Sequence, residues 1–440
     1  MVCPAQTGET KAWEQVSQVG SQLGPPGPRV PATVPTADSP LADFARYAVV
    51  NHPAVFASYQ DWRAAVGAIA SSRALPDPRL TFEADISSTL MTLMPGVMFD
   101  LMAGRKRSAM AGEATAASQV AYRTYAGAVF RVASEVRKSW IELAYLRAAL
   151  DLKEDSRRAL EQGSALAQAE YTTGKGMGTL EVQVRLANEA ARVLSELDAL
   201  RDRLASARSV FKASLGLLPT DPDPAWPEPR LVTTALPAEE EMWERIRSSN
   251  ADLARMQAMV DMALASVAVA RTAGTPDASA GLMADLRANP LMIRPTASVT
   301  LPVWREKIAS LVAASEARRD AATARVGAEQ LAMAAQLARM LAMVRESDRM
   351  IAYIDGTALP SSERIAATAE AAYQSGLAGP RAIAEARLMA LAMRLERAAA
   401  LRDREEAATE LALMMADDAP SGSPLISETD SDRSQAPSRP

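Results

Sequence analysis

Apolar residues recur at helical spacing along most of this chain and switch to strict alternation in a few short places. From Leu41 to Arg73, and again from Glu239 to Arg271, they fall three and four apart, which predicts one amphipathic helix in each stretch. Just beyond the first stretch, Leu80, Phe82, Ala84 and Ile86 alternate with Arg79, Thr81, Glu83 and Asp85, the period of a strand with one greasy face. After a break around 87–92, Leu93, Val97, Phe99 and Leu101 extend the alternation to Gly104. The second half behaves alike: Leu282, Ala284 and Leu286 alternate with Met283, Asp285 and Arg287. A break at Asn289-Pro290 follows, and then Ile293, Ala297, Val299, Leu301 and Val303 alternate with Arg294, Thr296, Ser298 and Thr300. Two β-hairpins are predicted, over 79–103 and 277–303.

Each hairpin leads into a very long helical stretch. Arg105 to Tyr171 contains no proline, and at about 1.5 Å per residue a single helix there spans roughly 100 Å. It stops at a glycine-rich turn over 174–178, and a second helix, Thr179 to Leu215, returns antiparallel. The pattern repeats as Arg305 to Tyr373, a turn over 376–380, and Arg381 to Met415. The turn motifs Tyr171-x-x-Gly174 and Tyr373-x-x-Gly376 lie 202 residues apart, the mark of an internal duplication. Leu359-Pro360, close after Asp355-Gly356, predicts a kink in the second rod, because proline removes a backbone hydrogen bond.

The fold class predicted is mainly α with a small β part, in two structural repeats at 39–218 and 239–417. A proline-rich connector at 219–238 joins them. Residues 1–38 are rich in Pro, Gly, Ser and Thr and predict an extended, disordered arm, and 418–440 a disordered tail.

Composition narrows the function. A formal charge of −5 gives no electrostatic reason to bind nucleic acid. One Cys and one His exclude an intrachain disulfide and a Cys/His zinc site, and leave too little polar chemistry to build a catalytic centre, so neither enzyme activity nor a cofactor or resident metal is expected. No run of apolar residues suggests a membrane-spanning helix. Met1-Val2-Cys3-Pro4 has neither the basic stretch nor the apolar core of a secretory signal, while Cys3 stands where a mature bacterial lipoprotein carries its lipid. Gly174-Lys175-Gly176-Met177-Gly178 is no phosphate loop, since a helix precedes it and Lys-Ser/Thr does not follow. Met91, Met94, Met98 and Met102, like the clusters at Met256 to Met262 and Met333 to Met343, offer thioethers to a soft metal cargo. They also have the spacing of a helix core, where methionine fills gaps.

Four strands cannot close a barrel alone, because two edges stay unpaired and lipid offers them no partner. Three chains supply twelve strands of membrane-crossing length. A soluble four-stranded sheet capping a helical bundle, hence a coiled-coil scaffold, is the competing interpretation.

The residues resemble the TolC-like outer membrane efflux family. The resemblance rests on Asn51-His52-Pro53, Leu75-Pro76-Asp77-Pro78, and Gly104-Arg105-Lys106-Arg107. It rests also on Val299-Thr300-Leu301-Pro302-Val303-Trp304-Arg305-Glu306-Lys307, Leu359-Pro360 and the two Tyr-x-x-Gly turns, and it covers roughly 40–415. It implies a homotrimer with a twelve-stranded β-barrel in outer membrane lipid, continued by an α-barrel through the periplasm. Such a trimer is the passive conduit of a tripartite efflux or type I secretion system, for heavy metals or drugs among other cargo. The implied partners are a periplasmic adaptor, or membrane fusion protein, and an inner-membrane pump of RND or ABC type. The adaptor-binding tips would be Tyr171, Gly174, Gly176, Gly178, Tyr373, Gly376 and Gly379. The family often rings the tunnel entrance with Asp; here the nearest acids are Glu181 and Glu385, entrance-ring candidates that are equally ordinary solvated positions. Arg105, Lys106 and Arg107 follow a membrane-type strand and suit a headgroup anchor, because positive charge at a helix N-terminus is otherwise unfavourable.

Overall fold

The computed structural model describes residues 4–23, 35–87, 90–174, 177–227, 229–285 and 292–416. Helices α1 (Pro4–Leu23), α2 (Leu41–Asn51) and α3 (Pro53–Arg73) precede strands β1 (Arg79–Ser87) and β2 (Leu90–Leu101), followed by α4 (Gly104–Thr173) and α5 (Leu180–Ser214). The second half repeats the order: α6 (Glu239–Ser249), α7 (Ala251–Arg271), β3 (Asp277–Asp285), β4 (Met292–Thr300), α8 (Arg305–Tyr353), α9 (Leu359–Gln374) and α10 (Pro380–Met414). Contacts divide the chain into two compact units. One contains α1, Phe56–Ala128 and Ala251–Leu331, and so the whole sheet; the other contains α2, Val129–Asn250 and the chain from Ala332 through α10, and so both helix turns.

Within the first unit the four strands form one antiparallel sheet in the order β1-β2-β3-β4. The two hairpins are joined by the β2–β3 ladder, in which Val97 faces Leu282 and Phe99 faces Ala280. Beneath the sheet, Trp62 is fully buried and stacks on Tyr125 at 5.8 Å, with Tyr59 and Tyr122 completing the aromatic core. Burial pushes the Tyr125 phenol well above its usual range, helped by its two tyrosine neighbours.

Helix α1 corrects the expectation of an extended N-terminal arm. Gly8, Ala12, Val16 and Gly20 recur every four residues and make a narrow seam of small side chains. Ala12 and Val16 are buried, and the Tyr59 hydroxyl donates to the Val16 carbonyl at 3.2 Å. Glu9 pairs with Arg73 at 3.2 Å, so α1 runs antiparallel to α3. The absence of a run apolar enough to cross a membrane needs a second correction. One 18-residue window within Glu239–Gly274 reaches a mean hydropathy of 1.4, but α7, which supplies its apolar residues, buries Leu253, Val260 and Val267, as a bundle helix does.

In the second unit, each of the two predicted opening helices has come to its break. His52 is extended (ψ 126°) because Pro53 disfavours helical backbone before it, and its Nδ1 accepts the Ala54 N–H at 3.2 Å, capping α3. Burial holds this imidazole below the usual histidine range, against the pull of Glu135, so the lone histidine is a structural acceptor. Gly216 (φ 80°) at the end of α5 sits on this break; a Cβ there would lie 2.9 Å from His52 Cα. The duplicate joint is built differently: Asn250 breaks α6 from α7 and donates to the Met414 carbonyl at the end of α10, 2.7 Å away.

The second rod is interrupted as expected, by one π turn at Ile354–Ala358 just before Pro360. The wider turn accommodates the missing amide and the bulk of the ring. Four arginines on α10 then clasp the rod. Arg404 pairs with Asp348 and Arg397 with Asp355, each at 2.6 Å; beyond the π turn Arg394 pairs with Glu363 at 2.8 Å and Arg387 with Glu370 at 3.3 Å. Seven residues separate the rungs on either side of the turn, the repeat of a coiled-coil seam.

Candidate membrane face and helix-turn tip

The ladder registers sort the sheet into two chemically distinct faces. Leu80, Val97, Leu282 and Pro295 lie in one row across all four strands, and Leu101, Ala278 and Val299 in another. With Phe82, Phe99 and Ile293 they cover a single face, and it is open: Leu80 is 64% exposed and Phe82 and Ile293 61%. Large apolar side chains in register on one uncovered face are unfavourable in water and suited to hydrocarbon. The opposite face is polar or small: Arg79, Met98, Gly281 and Thr296 form one row, and Thr81, Gly96, Met283 and Arg294 the next. Both arginines on it are paired, Arg79 with Asp100 at 2.6 Å and Arg294 with Asp285 at 3.0 Å, while Glu83 on the same face is exposed.

Two glycines set the packing of that polar face. A Cβ on Gly281 would stand 2.5 Å from the Val97 carbonyl, and one on Gly96 would meet Met283 at 2.6 Å and the Leu282 carbonyl at 2.9 Å. Met283 therefore lies over Gly96, and both Met283 and Met94 are buried. Met94 and Met98 share the polar face, whereas the side chain of Met91 lies outside the described residues. Met333 is buried on α8, as a gap filler would be.

At the lower rim of the sheet, Lys106 reaches from the first turn of α4 to Asp277 at the start of β3, 2.6 Å. Arg105 is exposed, and the Nε of Arg107 is shielded from solvent without a hydrogen-bond partner. At the corresponding point of the second repeat, Leu301 and Val303, expected as the end of the hairpin, lie beyond β4, and with Trp304 they form an apolar ledge, 66%, 65% and 76% exposed, with Arg305 next in the chain. An exposed tryptophan between an apolar strand and a basic helix start was a legible membrane-interface signal.

The second unit brings both turns together. Gly174 (φ 66°) and Gly376 (φ 76°) end their helices in the left-handed conformation that favours glycine. Gly178 and Gly379 serve close approach: a Cβ on Gly178 would fall 2.6 Å from the Ala167 carbonyl, and one on Gly379 3.0 Å from Met177 Cβ. Gly176 lies outside the described residues, as does Cys3. Thr179 caps α5 by accepting the Val182 N–H at 3.2 Å, and Leu160, Ala167, Leu186, Val193, Leu197 and Ala384 pack as a core above the turns. The end itself is apolar and open: Leu377 is 79% exposed, Leu180 57%, Met177 53% and Tyr171 52%. Glu181 and Glu385 do not stand as bare carboxylates. Glu181 pairs with Arg185 at 2.9 Å and Glu385 with Arg381 at 2.6 Å.

The architecture, a β-hairpin inserted twice among long helices and the two hairpins joined in one antiparallel sheet, is shared with solved outer membrane channel proteins. The chain superposes with a TM-score of 0.69 on the outer membrane protein VceC from Vibrio cholerae, at 17% identity, over 85% of this chain and 94% of that one. It superposes with a TM-score of 0.71 on CusC, whose structures concern transmembrane channel formation, at 15% identity over 89% and 96%. On the open state of the Neisseria gonorrhoeae MtrE outer membrane channel the TM-score is 0.66, at 15% identity over 85% and 89%. No curated protein sequence matches the chain. Residues 243–417, the second repeat almost from end to end, match the family model described as outer membrane efflux protein.

Proposed function

We propose that the chain is the outer membrane conduit of a tripartite efflux assembly, working as a homotrimer. The observation that carries this reading is the sheet: one uncovered apolar face, one polar face, and two unpaired edges, β1 and β4. Joining β4 of one copy to β1 of the next satisfies both edges and makes a closed twelve-stranded wall, greasy outside and polar within. A soluble scaffold has no use for such a face. Arg105 and Arg107, with Trp304 and Arg305, then lie at headgroup level, the depth at which indole rings and long cationic side chains partition. A lipid on Cys3 would be a second attachment to the same membrane.

Transport through such a conduit requires no catalytic group. The polar face, with its arginine and aspartate charges already paired, lets solutes pass beside water without a deep electrostatic well. Direction and energy come from a pump in the inner membrane, reached through an adaptor. The exposed Leu377, Leu180, Met177 and Tyr171, held by the conformationally special glycines of both turns, supply the apolar contact for that adaptor. The pairing of Glu181 and Glu385 with arginines makes the tip close to neutral, so selection there is weak.

Reconstitution tests the reading. Protein extracted from outer membranes should migrate as a heat-labile trimer and add stepwise conductance to a planar bilayer. A chain that remains monomeric and folded in buffer without detergent would overturn it.

A further inference from the structure

On the polar face of the sheet, Gly96 is the floor of a small hollow with four neighbours. Thr81 on β1 and Met283 on β3 stand opposite it across the two ladders. Met94 and Met98 lie two residues before and after it along β2, where alternation returns each side chain to the same face. Met283 leans over the glycine, its Cγ 2.6 Å from where a Cβ would be, and the Thr81 Oγ1 closes in from the other side to 3.0 Å. Three of the four walls are therefore thioethers. Diagonal neighbours on adjacent strands stand about 7–8 Å apart, a gap that long unbranched side chains bridge, so Met94 and Met98 are both placed to meet Met283. Met94 and Met283 are buried, whereas Met98 is half-buried and leaves the hollow a way out to solvent.

The fourth wall and the surrounding charges suit a cation. The Thr81 Oγ1 is shielded from solvent without a hydrogen-bond partner, and so has lone pairs to offer. Opposite Met94 stands Glu83, exposed and in no ion pair among the described residues, while Arg79 and Arg294 are each neutralised by an aspartate. Packing alone asks for no sulfur here, since leucine has nearly the same volume.

We propose that Met94, Met98 and Met283 form a thioether site for a soft monovalent cation, Cu(I) or Ag(I). Thioethers are neutral, polarisable donors that select such ions over hard Mg²⁺ and Ca²⁺. Binding makes sulfur–metal dative bonds only, and no proton or electron moves. Gly96 makes the site possible, because a side chain there would take the space over which Met283 leans. The site belongs to the sheet of one chain, so it stands or falls independently of how copies assemble and of what they transport.

The test is titration of the detergent-solubilised full chain with Cu(I), under anaerobic reducing conditions, in competition with the chromogenic chelator bicinchoninate. Cys3 is alkylated beforehand so that its thiol does not compete. The natural protein should withdraw one Cu(I) per chain, as should Met333→Leu, a control on α8. Met283→Leu and Met94→Leu should lose that Cu(I) while keeping a near-natural unfolding midpoint, because the volume is conserved. X-ray absorption of the loaded natural protein should show sulfur in the first shell. Methyl resonances of the natural protein read the same contact without any substitution: diamagnetic Ag(I) should shift those of Met94, Met98 and Met283 and leave that of Met333 in place. Equal withdrawal of Cu(I) by all four chains, none by the natural protein, a first shell of nitrogen and oxygen alone, or unmoved resonances at the three methionines would each overturn the proposal.

Discussion

The Tyr373 phenol lies beside the Glu170 carboxylate, where the second helix turn meets the last residues of α4. Burial pushes this phenol upward, and the neighbouring carboxylate adds to it. Its duplicate Tyr171 faces solvent. The repeated Tyr-x-x-Gly motif therefore has two jobs, a latch in the second repeat and an exposed ring in the first. Tyr373→Phe, which takes the hydroxyl away from Glu170, should loosen the tip by up to about 1 kcal/mol, the net worth of an ordinary hydrogen bond, whereas Tyr171→Phe should leave it unchanged. Amide hydrogen exchange across 371–385 checks both.

On the sheet, a side chain at Gly281 meets backbone rather than a flexible neighbour. Gly281→Val should separate β2 from β3 at a cost of about 1–3 kcal/mol, the usual penalty of overpacking. Its measure is a lowered temperature for dissociation of the proposed trimer on a gel.

Charge should discriminate the two faces. Phe99→Arg puts a cation on the apolar face and should cost about 2–4 kcal/mol of membrane insertion if the residue lies near mid-depth. Thr296→Arg, on the polar face, should insert normally and shift ion selectivity towards anions. Liposome flotation separates insertion, and reversal potentials report selectivity.

A buried clasp holds the connector between the repeats. Glu405 accepts from the Thr234 amide at 3.0 Å and its hydroxyl at 2.6 Å, and Arg404 donates to Glu405 at 2.6 Å and to the Thr234 carbonyl at 3.0 Å. Glu405→Ala leaves the Arg404 guanidinium less than fully paired in a nearly closed site and should cost about 3–5 kcal/mol, read as a fall in the unfolding midpoint.

How far the sequence led can be seen residue by residue. Leu80, Phe82, Val97, Phe99 and Val299 disclosed the sheet and its apolar side because alternation is a local signal that the final packing did not override. Pro360 disclosed the interruption of the second rod, although not that a single wide turn would absorb it. Helix α1 was hidden by average composition: its prolines and glycines cluster beyond Leu23, while the seam at Ala12 and Val16 gains meaning only against Tyr59. The rungs from Arg387 to Arg404 were unreadable as pairs, since each joins residues 17 to 56 positions apart and depends on how two rods align. Glu181 and Glu385 looked like free acids only because their partners, Arg185 and Arg381, stand one helical turn away rather than adjacent.

The β1 and β4 margins of the sheet impose an order on biogenesis. A single polypeptide pushed into lipid would bring along two rows of amides and carbonyls seeking hydrogen bonds, each worth several kcal/mol in hydrocarbon. Solitary insertion is thus closed to it. In the proposed trimer, recruitment of sister polypeptides comes before, or together with, the crossing of the bilayer, and too few copies would leave intermediates stranded short of it.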